Sequence, residues 1–207
     1  MNSRTERFQV QGAVGPIEAL RDLPDGPSRG VAVIAHPHPL FGGTMDNKVV
    51  QTLARAFVQC GWTALRFNFR GIGASAGVYD EGRGETDDML RVIATQASQG
   101  ALSLAGFSFG SFVTSQVLQT LWPLRSVEKV VLVGTAASRF DVAALPPDSH
   151  DRTLVVHGEH DDTVPLLAVL DWARPQSLPV TVVPGGAHFF HGQLPLLKNL
   201  VVRHLRS

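Results

Sequence analysis

Residues Ala101–Leu121 read ALSLAGFSFGSFVTSQVLQTL, and the three parts of this stretch differ in character. The first part is short and apolar, as a buried strand is. Gly106-Phe107-Ser108-Phe109-Gly110 is a tight turn with glycines two positions either side of a serine. Beyond it Phe112, Val113, Val117 and Leu121 recur at helical spacing. A strand that turns sharply into a helix at a serine lifts that hydroxyl above the end of a sheet, and the flanking glycines let both backbones pass close by.

The five-residue pattern is weak evidence taken alone. Composition yields roughly 0.1 chance matches in a chain of 207 residues, so context has to decide. A second copy, Gly73-Ala74-Ser75-Ala76-Gly77, makes the point. It also follows a strand-like run, but GVYDEGRGE (77–85) comes next, which is loop chemistry and not an apolar-faced helix. Ser108 is therefore the candidate nucleophile and Ser75 its rival. The bland alternative is that Ser108 is an inert polar residue in a turn.

Outward from the serine, the chain alternates. GVAVIA (30–35) is a continuous apolar run, as expected of a strand covered on both faces. A helical pattern over 47–59 places Val50, Leu53, Ala54 and Phe57 on one face. A strand is expected over 62–69 and a helix over 84–98. Further strands are expected at 129–133, 153–157 and 180–183, with helices over 166–173 and 192–205. Ahead of this series, 6–11 and 16–22 alternate loosely and predict an antiparallel pair around Gly12–Gly15. The pattern predicts an α/β fold, a doubly wound, mostly parallel sheet with an antiparallel N-terminal pair, forming one domain over 1–207. In such sheets ligands sit at the C-terminal strand ends.

Composition excludes several function classes. Eighteen basic and eighteen acidic residues cancel, so nothing favours a nucleic acid, an anionic membrane or a strongly charged substrate. Cys60 is the only cysteine, which rules out an internal disulfide and a cysteine zinc site. The N-terminal stretch MNSRTERFQVQG lacks the apolar segment of a signal peptide, and no run of about 18 apolar residues occurs. A cytoplasmic protein is the expectation.

Five motifs in order carry a resemblance: HPHPLFGG after the 30–35 strand, RFNFRGIGASAG after the next, GFSFG, HGEHDDTVP near 160, and GGAHFF near 188. Over nearly its whole length the chain resembles the α/β-hydrolase superfamily, and within it the small lid-less bacterial serine hydrolases with a His-Pro-His-Pro-Leu loop. The resemblance implies an acid and then a histidine after the serine. Asp161, in the turn after the 153–157 strand, resembles the acid; it would orient the imidazole and stabilise its charged form. Asp162 is the alternative, and either carboxylate could instead cap the helix beyond Pro165. His188 follows Gly185-Gly186 in a loop expected to return over Ser108, where it would act as base and then acid. His191 competes with it.

Acyl transfer also needs donors for the developing oxyanion. One would be the backbone N–H of Phe109. The second would come from the loop after residue 35, where Pro37 and Pro39 have no N–H. Register with the family's His-Gly-x loop favours Leu40, with His38 as second choice. The side chains of His36 and His38 read as loop supports.

Rival readings are weaker. A metal site could draw on His36, His38, His157, His160 and Asp161, but there is no His-Glu-x-x-His spacing, and no metal or other cofactor is expected. Gly71-x-Gly73-x-x-Ala76 could suggest a dinucleotide, yet no helix is predicted to open on that loop. A non-catalytic binding module on the same fold is the alternative from another class. Arg66, on a strand expected to be covered by helices, needs a partner, and Asp87 or Asp88 is the expected one.

About 18 residues join the 129–133 and 153–157 strands, too few for a helical lid domain. The site should be open, lined by Leu40, Phe41, Phe109, Val164, Phe189 and Phe190, and suited to a small-molecule substrate with a small or medium acyl group. The expected activity is that of a carboxylesterase acting through an acyl-enzyme on Ser108. A thioesterase or a peptidase would use the same three side chains.

Overall fold

The computed structural model describes residues 5–207, so the first four residues of the N-terminal stretch read above lie outside it. Strands β1 (Thr5–Gln11) and β2 (Pro16–Asp22) pair antiparallel, with Phe8 opposite Ala19 and the Gly12 N–H on the Gly15 carbonyl at 2.8 Å. β3 (Gly30–Ala35), β4 (Thr63–Phe67), β5 (Ala101–Phe107), β6 (Lys129–Val133), β7 (Thr153–Gly158) and β8 (Val180–Val183) follow. The sheet order is β1-β2-β4-β3-β5-β6-β7-β8. β2 joins β4 antiparallel, and every pairing from β4 to β8 is parallel. β5 lies inside the sheet between β3 and β6, which sets residue 108 amid the C-terminal strand ends.

Side-chain alternation divides the core into two layers. Leu102 and Leu104 of β5 and Val130 and Leu132 of β6 face one layer. There they meet Met89 and Val92 of α2 (Arg83–Gln96), Val113 and Val117 of α3 (Phe109–Leu121), and Val169 of α4 (Leu166–Ala173). Ala105, Phe107, Val131 and Val133 face the other, against Val50, Leu53 and Phe57 of α1 (Lys48–Gln59) and Leu197 and Val201 of α5 (Leu194–Arg206). Each such large side chain, removed from water, contributes about 1.5–3 kcal/mol before entropy is counted. α1 starts where the Asn47 side chain accepts the Val49 N–H at 2.8 Å. Between β6 and β7 the one regular element is a 3-10 turn at Pro147–Arg152, so no lid covers the strand ends. No helix among the described residues is long and apolar enough to cross a membrane.

The expected strand over 62–69 is shorter, ending at Phe67, and the 84–98 helix runs from Arg83 to Gln96. The partner expected for Arg66 is corrected. Leu65 and Phe67 face α2, so the intervening Arg66 points to the opposite layer. Its Nε donates to Asp22 Oδ2 at 2.9 Å and its Nη1 to Asp46 Oδ1 at 3.1 Å and the Met45 carbonyl at 2.8 Å. Asp88 is taken instead by Arg70, in a two-pronged pair at 2.8 and 2.9 Å.

Candidate active site

Ser108 sits between β5 and α3 with φ 56° and ψ −117°, a conformation that costs a non-glycine residue about 1–3 kcal/mol. Close packing holds it there. A Cβ on Gly106 would stand 2.3 Å from the Gly110 carbonyl oxygen, and one on Gly110 would stand 2.4 Å from that of Ala35. Only glycine permits strand and helix to approach this closely. The Ser111 hydroxyl ties the turn down by donating to the Gly106 and Val133 carbonyls at 2.8 and 3.0 Å.

The loop after β8 brings His188 to the serine. Its Nε2 lies 3.0 Å from Ser108 Oγ, and its Nδ1 lies 2.7 Å from Asp161 Oδ2. Because Nδ1 faces a carboxylate it carries the proton, which leaves Nε2 to accept from the serine. Asp161 Oδ1 accepts the Thr163 and Val164 N–H groups at 3.0 and 2.7 Å. These bonds fold the turn around the carboxylate; the residue before α4 is Pro165, and no side chain caps that helix. Burial works to raise the Asp161 pKa, but the hydrogen bonds from His188 and Val164 and the nearby imidazoles outweigh it and hold the carboxyl below its ordinary value. Asp162 is exposed, and so is His191, whose ring stands beside Phe189.

His157, which heads the HGEHDDTVP motif and belongs to the rejected metal set, is a further neighbour. Its Nε2 is 2.9 Å from the Val164 carbonyl and 3.4 Å from Asp161 Oδ2, both acceptors, so the proton resides there. Its buried Nδ1 has no hydrogen-bond partner among the described residues. Burial above all lowers the His157 pKa, which disfavours its charged form beside this carboxylate.

The loop after β3 forms the facing wall. His36 is fully buried; its Nδ1 donates to the Pro37 carbonyl at 2.6 Å and its Nε2 accepts the Phe69 N–H at 2.9 Å. Burial drives its pKa down to about 3. His38 Nδ1 accepts the Leu40 N–H at 3.2 Å, and the Phe41 and Gly43 N–H groups turn back to the His38 carbonyl at 3.2 and 3.0 Å. Leu40, expected as a donor and a lining residue, has its N–H directed at His38 within the loop, and its side chain is 65 % exposed and lies outside the cavity lining. The 3-10 turn Pro39–Phe41 causes this by curling the N–H groups inward. Among the described residues the His38 N–H has no partner, and neither does the Phe109 N–H in the first turn of α3.

Between these walls is a cavity of about 320 Å³. Phe41, Phe109, Val164 and Phe189, all expected there, line it, together with His38, Asn47 and Arg139. Phe190, also expected there, is fully buried in the α1–α5 layer, because its φ of 51° turns it away from its exposed neighbour Phe189. Arg139 was not singled out in the sequence; it lies in a connection with no periodic pattern.

The rival serine does different work. Ser75 Oγ donates to the Asn68 carbonyl at 2.7 Å and accepts the Glu18 N–H at 2.9 Å, bracing the loop after β4 against β2. Among the described residues no group of three or more His, Cys, Asp or Glu is arranged to hold a metal ion.

No family model matches the chain. Solved structures do. A lid-less α/β serine hydrolase from Xanthomonas campestris shares 33 % identity with a TM-score of 0.88, over 100 % of this chain and 95 % of that one. An α/β serine hydrolase homologue from Coxiella burnetii shares 38 % identity with a TM-score of 0.83, over 97 % of both chains. An uncharacterised protein of Rickettsia prowazekii is 30 % identical over 195 residues, covering 89 % of this chain and 82 % of that protein.

Proposed function

The chain belongs to the α/β serine hydrolases, and from that premise we propose that it is a carboxylesterase acting on small or medium acyl esters. Ser108 Oγ attacks the ester carbonyl while His188 Nε2 takes its proton. Asp161, through Nδ1, fixes the imidazole tautomer and stabilises the imidazolium that forms. The Phe109 N–H and the His38 N–H bind the tetrahedral oxyanion; the latter replaces Leu40 because Leu40 has already given its N–H to the loop. His188 then returns the proton to the departing alkoxide, and a water deprotonated by the same nitrogen releases the acid. The apolar walls supplied by Phe41, Val164 and Phe189 suit the hydrocarbon of such an ester.

The observation that most supports this reading is the 3.0 Å separation of Ser108 Oγ from His188 Nε2 at a strained turn. Strain of that kind persists only where the surroundings over-determine it, and it clusters at reactive positions. A panel of p-nitrophenyl esters of increasing acyl length, with Ser108→Ala as control, tests the proposal. Turnover that is lost in the variant is expected. Turnover that survives in it, or none at all with any acyl length, would overturn the reading.

A further inference from the structure

Arg139 is, among the described residues, the one permanently charged side chain that lines the cavity. The residue is exposed and has no carboxylate partner among the described residues, unlike Arg66 and Arg70, whose pairs with Asp22 and Asp88 are buried. The backbone beneath it is anchored. The Arg139 and Phe140 N–H groups both donate to the Ala136 carbonyl at 3.1 Å, and the Phe140 ring stacks on Phe112 at 4.9 Å. The charge is felt in the site: after burial, Arg139 is the cause that lowers the His38 pKa. The nearest catalytic carboxylate does not compete for it, since the Asp161 side chain is wholly shielded and held by His188.

We propose that Arg139 is a specificity-determining residue that selects esters carrying a carboxylate on their acyl or alcohol portion. The inference rests on the esterase reading of the same site. A guanidinium offers a fork of N–H donors matched to a carboxylate, and two parallel hydrogen bonds give that contact a geometric specificity that survives at an exposed position. The hydrocarbon of the substrate lies against Phe41 and Phe189, while the anion meets the single fixed positive charge at the rim.

The test compares kcat/KM for p-nitrophenyl butyrate with two charged esters. Mono-p-nitrophenyl glutarate carries the carboxylate on the acyl side, and 3-carboxy-4-nitrophenyl butyrate carries it on the leaving group. The preference for one charged ester over the neutral one should fall about three- to fivefold in Arg139→Gln. Arg139→Lys should restore part of it, and added salt should weaken it in the wild type. Which ester responds tells on which side the anion sits. An unchanged preference in Arg139→Gln, or an equal loss on all three esters, would overturn the proposal. If no ester turns over, the esterase reading fails separately, and calorimetry of glutarate with wild type and Arg139→Gln still decides whether this arginine binds the anion. Binding weakened in the variant supports the proposal, and equal binding or none overturns it.

Discussion

His188 meets Asp161 through a single carboxylate oxygen, Oδ2 at 2.7 Å from Nδ1, while the other oxygen accepts two backbone N–H groups of the acid's own turn. The turn's own backbone thus holds the carboxylate independently of the imidazole. Asp161→Asn keeps the shape but offers an amide where a charge was. We expect a loss in kcat of about a thousandfold or more, with KM little altered. Asp162→Asn, on an exposed side chain, should change kcat less than about threefold. Comparable losses in the two variants would contradict this division of roles.

The backbone strain at Ser108 predicts a conflict between stability and activity. Ser108→Gly and Ser108→Ala should both abolish hydrolysis. The glycine variant should be the more stable by about 1 kcal/mol or more, because only glycine is at ease with φ 56° and ψ −117°. Urea unfolding of the two variants checks this; equal midpoints would show that the turn is not strained.

Ser75 shares the pattern of Ser108 but bridges two backbone groups. Ser75→Ala leaves the Glu18 N–H and the Asn68 carbonyl short of a partner, at a cost of about 1–3 kcal/mol. Labelling of the folded variant by a fluorophosphonate should persist at Ser108. Loss of labelling without loss of stability would point to the other serine.

Acid should unfold the protein partly through His36. In the unfolded chain this group takes up a proton below its ordinary 6.5, whereas the folded protein resists until about 3. Between those values the unfolded state binds more protons, so stability is complete above the upper value and falls as pH falls, by up to about 1.4 kcal/mol per pH unit. His204, lowered to about 4, acts in the same direction. Replacing His36 with Gln should flatten the slope of unfolding free energy between pH 6 and pH 4 (roughly the window those values define). A slope unchanged by the substitution would contradict the burial argument.

Much of this was legible in the chain because strong local signals agreed. The apolar run at 30–35, the Gly-Phe-Ser-Phe-Gly turn and the helical spacing after it predict β3, β5 and α3 where they occur. The order of motifs also brings Ser108, Asp161 and His188 together. What escaped depends on geometry that spacing does not encode. The neighbour of Arg66 follows from β2 lying beside β4, a pairing that no local pattern announces. The fate of the Leu40 N–H depends on a three-residue 3-10 turn. Phe189 and Phe190 look alike in sequence, yet a left-handed backbone at one of them sends the two rings to opposite environments. Arg139 sits in a connection without periodicity, so only the folded chain brings it to the cavity.

The most direct measurement is to trap the intermediate. The protein is mixed with p-nitrophenyl acetate, quenched in acid within the first turnovers, digested and weighed by peptide. The account predicts a burst of nitrophenol and an acetyl group on the peptide that contains Ser108, both missing in Ser108→Ala. A burst-free trace with the acetyl group on another residue, or on none, would contradict it.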